Sequence, residues 1–205
     1  MAGDRVVLRT ASLNDVDELA RLEAACWPDG LAADTLQIEA RIAAYRDGQW
    51  VAELDGRLWG YSSAQRIQPG LLDAVPLNYE TVTDRDRFTN THDGTGEIYQ
   101  LVGVSSHPET RGQGIGRRLV DHQVALAWTL TGIRRVLGFT RPTGRHLAPH
   151  QSLSEHLKHH AQGSAPDKTL AFHLDAGARI VSSHDEFRAA DLQCLGAGVL
   201  IEYLR

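Results

Sequence analysis

Arg111-Gly112-Gln113-Gly114-Ile115-Gly116 is the most informative segment of this chain of 205 residues. It follows an apolar, β-rich stretch over residues 97–105 and precedes an amphipathic helix predicted over residues 115–131. Its three glycines leave backbone N–H groups uncovered at a helix start, where unpaired donors and the helix dipole favour an anion. Arg117 adds positive charge beside Arg111. The segment therefore predicts a pyrophosphate site.

Two common phosphate motifs do not fit this segment. The Walker motif requires Gly-Lys-Ser/Thr, but Arg117-Arg118 follows the last glycine. The dinucleotide fingerprint G-x-G-x-x-G has a different spacing and opens the first βα unit of a domain, whereas this turn follows several predicted strands. The residues match R/Q-x-x-G-x-G/A, which resembles the acyl-CoA signature of the GNAT (Gcn5-related N-acetyltransferase) superfamily. A glycine-rich turn that binds nothing is the alternative, and the flanking strand and helix argue against it.

The composition is that of an ordinary globular protein, with 42% apolar and 23% charged residues. A net charge of −5 argues against a nucleic-acid binder, and no apolar run is long enough to cross a membrane. Cys26 and Cys194 predict reduced thiols in a cytoplasmic protein. The length predicts a single domain over residues 1–205, with insertions at about residues 68–96 and 141–167.

The predicted order of elements resembles the GNAT fold over nearly the whole chain outside the two insertions. An initial strand at residues 6–9 precedes the predicted helices, which cover residues 13–26, 33–45, 115–131 and 168–177. The remaining predicted strands cover residues 49–54, 58–67, 97–105, 135–140, 178–182 and 198–203, and Asp55-Gly56 closes a type I′ hairpin between the first two of these. The resemblance implies an α/β fold with a mixed, mostly antiparallel sheet, splayed between strands 4 and 5 and covered by helices on both faces.

The two insertions invite separate interpretations. Residues 68–96 are rich in proline and glycine, and we expect them to lie over the acyl end of the site and to be mobile without ligand. The second insertion contains a cluster of histidines, which are His146, His150, His156, His159 and His160. Because these lack cysteine or carboxylate partners at ligand spacing, we expect a solvated, partly helical segment and no metal site.

The helix after the fifth strand departs from the superfamily pattern at one position. Many GNAT enzymes carry a sequence like F-Y-x-x-x-G-F, in which the tyrosine protonates the departing CoA thiolate. The corresponding segment here is Phe172-His173-Leu174-Asp175-Ala176-Gly177-Ala178, so His173 stands at the tyrosine position. Imidazole titrates near neutral pH and phenol does not, so the change alters the available chemistry. A histidine packed on a helix face is the structural alternative.

A smaller branch of the superfamily shares this departure. The chain resembles the GNAT-like loading domains of polyketide synthases and related acyl-CoA decarboxylases. That branch pairs the histidine with a threonine in a sequence like F-T-R-P, which is Phe139-Thr140-Arg141-Pro142 here. It also carries an early tryptophan and an arginine after the sixth strand, at positions comparable to Trp27 and Arg188. The resemblance implies decarboxylation of a malonyl-type CoA, with or without transfer of the acyl group to an acyl carrier protein in polyketide biosynthesis.

The resemblance also implies roles for individual residues. Thr140 and His173 would stabilise the enolate that decarboxylation leaves, and His173 could also supply its proton. Trp27 would wall the acyl pocket, and Arg188 would hold the leaving carboxylate or a phosphopantetheine phosphate. The residues expected to bind acyl-CoA are Val102, Val104, Arg111, Gly112, Gln113, Gly114, Ile115, Gly116 and Arg117.

Two other functions stay open at this point. The first is acetyl transfer from acetyl-CoA to an amine, which needs a base near the amine; Glu80, Asp84 and Asp86 in the first insertion are the acidic candidates. The second is a non-catalytic CoA-binding module, in which Thr140 and His173 would be incidental.

Overall fold

Seven strands form one mixed sheet in the computed structural model, which describes residues 6–164 and 167–205. The strands are β1 (Val7–Thr10), β2 (Gln49–Leu54), β3 (Arg57–Ile67), β4 (Ile98–Ser106), β5 (Arg135–Thr140), β6 (Ala178–His184) and β7 (Gly198–Tyr203). Their order across the sheet is β1-β2-β3-β4-β5-β7-β6. The β4–β5 pair is parallel and the other neighbouring pairs are antiparallel. The predicted sheet is confirmed.

Helices cover both faces of this sheet. They are α1 (Val16–Cys26), α2 (Thr35–Tyr45), α3 (Tyr79–Thr83), α4 (Ile115–Ala127), α5 (Leu153–Ala161) and α6 (Lys168–Asp175). On one face, Val120 of α4 and Leu170 of α6 pack in a cluster with Tyr99. On the opposite face, α1 and α2 pack against Val51 and Tyr61. The sheet is thus the middle of three layers.

Two local features test the sequence prediction of turns. Asp55 and Gly56 both have positive φ, at 53° and 74°, as the predicted type I′ hairpin between β2 and β3 requires. Helix α4 ends at Ala127, four residues before the predicted end, because Thr129 and Leu130 form tight turns back to Leu126 and Ala127. Gly132 follows these turns with a φ of 86°, a conformation that favours glycine and that does not continue the helix.

A bulge in β4 starts the splay between β4 and β5. Ser63 of β3 pairs with Gly103, and the next residue, Ala64, pairs with Leu101, so Val102 is an extra residue on β4. Such a bulge bends the strand that carries it. The β4–β5 pairing ends at Leu101 opposite Gly138, and both strands continue beyond that point. The divergence leaves a gap that opens toward the carboxyl ends of both strands.

The first insertion is packed, and Leu71 and Leu72 lie on the sheet face opposite α4, which differs from the expected position over the acyl end; its mobility without ligand stays a prediction. Both leucines contact the apolar cluster on that face. Val82 of α3 and Phe88 are fully buried, so the insertion contributes side chains of its own to the interior. These contacts anchor the segment because burying such side chains stabilises a loop as it stabilises a helix. Tyr79 lies beside the splay, and Leu71 and Leu72 pack in the same cluster as Phe139 of β5.

The second insertion anchors the start of α6 through Asp167. The Asp167 carboxylate caps the helix by accepting hydrogen bonds from the backbone N–H groups of Thr169 and Leu170. It also accepts one from the N–H of Gly144 at 2.8 Å and lies 3.1 Å from Nε2 of His156 in α5. Two of the clustered histidines therefore have structural contacts, since His160 also accepts a hydrogen bond from the Asp167 N–H.

Replacing Asp167 with alanine is expected to destabilise the fold by roughly 2 to 4 kcal/mol, because three backbone donors lose a buried acceptor. Urea unfolding would measure this loss. Ser152→Ala, which removes the exposed N-cap of α5, is the matched control and should cost about 1 kcal/mol. Equal losses in the two variants would contradict the role given to Asp167.

Candidate functional site

A cavity of about 490 Å³ opens where β4 and β5 diverge. Residues 101–106 of β4 and 138–140 of β5 form two of its walls. Its size falls within the range of small-molecule sites, roughly 300 to 1,000 Å³. The other lining residues are Cys26, Trp27, Arg111, Gly116, Val120, Arg141, Lys168, Thr169, Phe172, His173, Ile201 and Tyr203.

The glycine-rich turn lies at one end of the cavity and has the backbone shape expected of an anion site. Gly112 and Gly114 have φ of 82° and 79°, and Gly114 occupies the N-cap of α4 without a side chain to cap it. The first N–H groups of α4 are thus left for a ligand. The predicted CoA residues Val102, Val104, Arg111 and Gly116 line the cavity directly.

The remaining residues predicted to bind CoA have side chains directed elsewhere. Ile115 is buried in the core with Leu119, so it can contribute its backbone N–H alone. Arg117 is held by Asp121 and donates to the backbone carbonyl of Asp175. The Gln113 amide donates back to the Glu109 carbonyl at 3.3 Å, which stiffens the turn.

Thr140 presents an unpaired hydroxyl at the end of β5. The residue is 3% exposed, and its Oγ1 has no hydrogen-bond partner among the described residues. A buried hydroxyl without a hydrogen-bond partner lowers the stability of the fold. Such a hydroxyl is therefore suited to form a hydrogen bond with an atom of a bound ligand. Thr140 lines the main cavity and also a smaller one of about 20 Å³ that adjoins it.

His173 reaches the main cavity from α6 and is held by Tyr203 of β7. Its Nδ1 lies 2.6 Å from the Tyr203 hydroxyl oxygen. Burial lowers the pKa of His173 to about 4, because a charged imidazolium loses its hydration there. The ring is therefore neutral at physiological pH. A neutral imidazole carries one N–H donor and one acceptor nitrogen.

Trp27 walls the cavity and is fixed by a buried chain of polar groups. Its indole N–H donates to Ser105 Oγ at 2.7 Å, and that hydroxyl donates to Glu23 Oε1 at 2.5 Å. Burial raises the pKa of Glu23. No sequence motif marks Ser105 or Glu23 as a support of Trp27, although Glu23 lies four residues earlier on α1.

Arg188 lies behind this wall and lines the smaller cavity, which it shares with Trp27 and Thr140. Its guanidinium carbon is 3.8 Å from the centre of the Tyr79 ring and 5.9 Å from that of Trp27. One nitrogen donates to the Leu31 carbonyl at 3.0 Å. The same nitrogen lies 3.9 Å from a carboxylate oxygen of Asp86, so the charge of Arg188 is already partly compensated. These contacts fix the side chain in place, and the other donors of its five-donor fork are left for another group.

The charges around the main cavity favour an anion despite the negative net charge of the chain. Arg111, Arg141 and Lys168 line it, and none of its described lining residues is a carboxylate. Asp191 binds Arg141 with two hydrogen bonds of 2.5 and 2.9 Å, so that arginine is partly neutralised. Arg111 and Lys168 are exposed and lack such a partner in the described part of the chain.

Lys168 and Tyr203 are cavity residues that were not predicted from the sequence. The signal for Tyr203 is strand alternation: Ile201 and Tyr203 are two residues apart on β7, and both face the cavity. Lys168 has no comparable signal, because its position depends on the cap that Asp167 provides.

Two properties of the described residues bear on other ligands and on membranes. No three histidine, cysteine, aspartate or glutamate side chains within residues 6–164 and 167–205 are grouped so that they could hold a metal ion. Among the same residues, no helix combines the length and apolarity needed to span a bilayer.

Comparison with known proteins gives a consistent relationship. Residues 14–148 match the family described as "Acetyltransferase (GNAT) family". The solved structure of the GphF GNAT-like decarboxylase in complex with isobutyryl-CoA is 30% identical, with a TM-score of 0.82 over 96% of this chain and 98% of that one. The loading GNATL domain of CurA from Lyngbya majuscula is 27% identical, with a TM-score of 0.77 over 98% of both chains. The uncharacterized N-acetyltransferase YkwB of Bacillus subtilis (strain 168) is 26% identical over 98% of this chain and 89% of its own length.

Proposed function

This chain belongs to the GNAT acetyltransferase family, and from that membership we propose that it decarboxylates malonyl-type CoA thioesters. The observation that carries the proposal is that two neutral hydrogen-bond donors, Thr140 and His173, line the same cavity. Thr140 has a buried hydroxyl without a partner, and His173 is kept neutral by burial. The similarity to the GphF GNAT-like decarboxylase supports the same reaction.

The reaction fits donors of this kind. The bond between the carboxylate carbon and the α-carbon breaks, CO₂ leaves, and the electron pair forms the enolate of the thioester. Charge collects on the thioester oxygen, where hydrogen-bond donors fixed in advance stabilise the transition state. The α-carbon then takes a proton from solvent water, giving the shorter acyl-CoA. Since His173 is neutral, it acts here as a hydrogen-bond donor and not as an imidazolium acid.

Transfer to a carrier protein would use the same donors. A carrier thiol attacks the thioester carbonyl, the tetrahedral intermediate places negative charge on the same oxygen, and CoA leaves as a thiolate that takes the thiol proton. The similarity to the CurA loading domain supports this second step. An acyl carrier protein is thus the proposed macromolecular partner, within polyketide biosynthesis.

Arg188 is the proposed group for the substrate carboxylate. The two cavities share the lining residues Trp27 and Thr140, so an acyl group at Thr140 could extend its carboxylate toward the guanidinium. Tyr79 and the Leu31 carbonyl hold the arginine in place before substrate arrives. A preorganised guanidinium binds a carboxylate by paired, charge-assisted hydrogen bonds.

Arg188→Gln is therefore expected to lower kcat/KM for malonyl-CoA by about 10- to 100-fold, the scale of one lost hydrogen bond to a charged group. The dissociation constant for acetyl-CoA, which has no free carboxylate, should stay unchanged. Steady-state kinetics and calorimetry measure the two quantities. A variant that lost both equally would contradict the assignment and indicate a structural role for Arg188.

Mass spectrometry after separate incubations with malonyl-CoA, methylmalonyl-CoA and acetyl-CoA tests the proposal itself. The expected result is loss of one CO₂ from a malonyl-type CoA without any acceptor present. Adding a carrier protein with its phosphopantetheine arm should then yield the acyl-carrier thioester if transfer accompanies decarboxylation. If malonyl-CoA and methylmalonyl-CoA both stay intact in their incubations, the proposal is refuted.

Acetyl transfer to an amine is the second candidate, and the resemblance to an uncharacterized N-acetyltransferase favours it. Asp86 of the first insertion already binds Arg41 and the Tyr79 hydroxyl, so it is not free to act as the base for an amine. Consumption of acetyl-CoA that depends on added amines, with malonyl-CoA untouched, would select this function instead.

A further inference from the structure

Tyr203 touches His173 but has no role in the chemistry described so far. Its side chain is buried, and it lines the main cavity beside the imidazole. Strand β7 holds it firmly, because Tyr203 pairs with Val136 of β5 on one side and with Ala178 of β6 on the other. Helix α6 brings Nδ1 of His173 to within 2.6 Å of the phenol oxygen.

We infer that Tyr203 is a positioning residue that donates its hydroxyl hydrogen to Nδ1 and so fixes His173 as the Nε2–H tautomer. The catalytic consequence of this inference rests on the proposed function. The tautomer itself does not, since it is a property of the protein without substrate.

The direction of the hydrogen bond follows from what each group can satisfy. If Nδ1 carried the proton, the buried Tyr203 hydroxyl hydrogen would need another acceptor, and the hydroxyl contacts none besides His173 among the described residues. Leaving a buried donor unpaired is costly. If the phenol donates instead, its hydrogen is paired and the imidazole lone pair is used.

The protonation states of both partners agree with this arrangement. Burial lowers the pKa of His173, so its ring is neutral and has one nitrogen free to accept. Burial raises the pKa of Tyr203, so the phenol keeps the hydrogen that it donates. Both shifts have the same cause, which is removal from water.

The consequence for the site is a second fixed donor. With Nδ1 occupied by Tyr203, the remaining ring nitrogen carries the hydrogen and is left for the cavity that His173 lines. It joins the unpaired hydroxyl of Thr140 as a donor for the thioester oxygen. Without Tyr203 the ring could populate both tautomers and other orientations, so the donor would be present for part of the time only.

Nitrogen-15 NMR of histidine-labelled protein tests the tautomer directly, without substrate. The chain has ten histidines, and the His173 signals are assigned by comparison with His173→Ala. We expect Nδ1 to resonate as an unprotonated acceptor nitrogen and Nε2 as a protonated one. In Tyr203→Phe this single-tautomer signature should give way to a mixture. A protonated Nδ1 in the native protein would overturn the inference.

Steady-state kinetics tests the catalytic consequence of the fixed tautomer. Tyr203→Phe should lower kcat for malonyl-CoA about tenfold, the scale of one neutral hydrogen bond, with KM unchanged. Tyr61→Phe is the matched control, because it also removes a fully buried, hydrogen-bonded hydroxyl but lies outside the cavity. An unchanged kcat together with an unchanged tautomer in Tyr203→Phe would refute the positioning role. If the native protein does not decarboxylate, the proposed function fails, while the NMR result still decides the tautomer.

Discussion

His173→Ala and Thr140→Val are each expected to slow malonyl-CoA decarboxylation by roughly 100- to 1,000-fold, the usual cost of losing one donor to a developing oxyanion. Affinity for CoA should stay nearly unchanged, because the phosphate turn is untouched. Since the pKa of His173 is about 4, the native rate should not depend on titration of His173 between about pH 6 and pH 8. The rate should change only as pH approaches 4, where the ring becomes charged and Nδ1 can no longer accept a hydrogen bond from Tyr203.

Stability measurements separate a catalytic effect from a structural one in these variants. Because the Thr140 hydroxyl is buried without a partner, Thr140→Val should raise the free energy of unfolding by about 1 kcal/mol while it removes activity. His122→Ala is the control for His173→Ala. His122 is also partly buried, and its Nε2 has no partner within residues 6–164 and 167–205, but it packs on Trp50 outside the cavity. Normal decarboxylation in both site variants would refute the proposed chemistry.

Gly114→Val is expected to weaken CoA binding by at least about 100-fold. Gly114 is the N-cap of α4, and a Cβ built there meets open space, which is available to a ligand that approaches the helix N-terminus. A valine side chain would fill it and block approach to the first helical N–H groups. Losing even two charge-assisted hydrogen bonds costs roughly 3 kcal/mol or more, which is a factor of about 100. Isothermal titration calorimetry with CoA measures the change.

The φ of 79° at Gly114 adds backbone strain to any such variant, so the control must carry the same strain. Gly56→Val fits, because Gly56 has a φ of 74°, has equal free space and lies in the β2–β3 turn. Both variants should have a similarly reduced free energy of unfolding, and only Gly114→Val should have a reduced affinity for CoA. If folded Gly114→Val binds CoA with undiminished affinity, the glycine-rich turn is not the phosphate-binding site.

Local signals in the sequence were sufficient for much of the fold. Asp55-Gly56 predicted the hairpin because both residues tolerate positive φ, and the glycine-rich turn predicted the start of α4. The first insertion was predicted less well. Its buried Phe88 has no periodic neighbours in the sequence, so only the folded chain reveals that the segment has a core.

In the candidate site, too, some residues could be predicted from the sequence and others could not. The resemblance in sequence pointed to His173 and Thr140, and both line the cavity. It did not point to Tyr203 or Ser105, because each acts through a partner far away in the chain: 30 residues separate Tyr203 from His173, and 78 separate Ser105 from Trp27. Such pairings depend on strand register and helix placement, which spacing along the sequence does not specify.

The extra residue Val102 gives β4 two phases of side-chain alternation. Before it, odd-numbered Tyr99 faces α4; after it, even-numbered Val104 faces α4, and odd-numbered Ser105 turns to α1. A strand of the same length with a single phase would turn Ser105 toward α4 and away from Glu23. The change of phase coincides with the mouth of the cavity, so the one inserted residue bends the strand where the gap opens while Ser105 keeps its place opposite Glu23. Deleting Val102 would restore a single phase and leave Ser105 on the α1 side, and the strand would lose the bend at the mouth of the cavity.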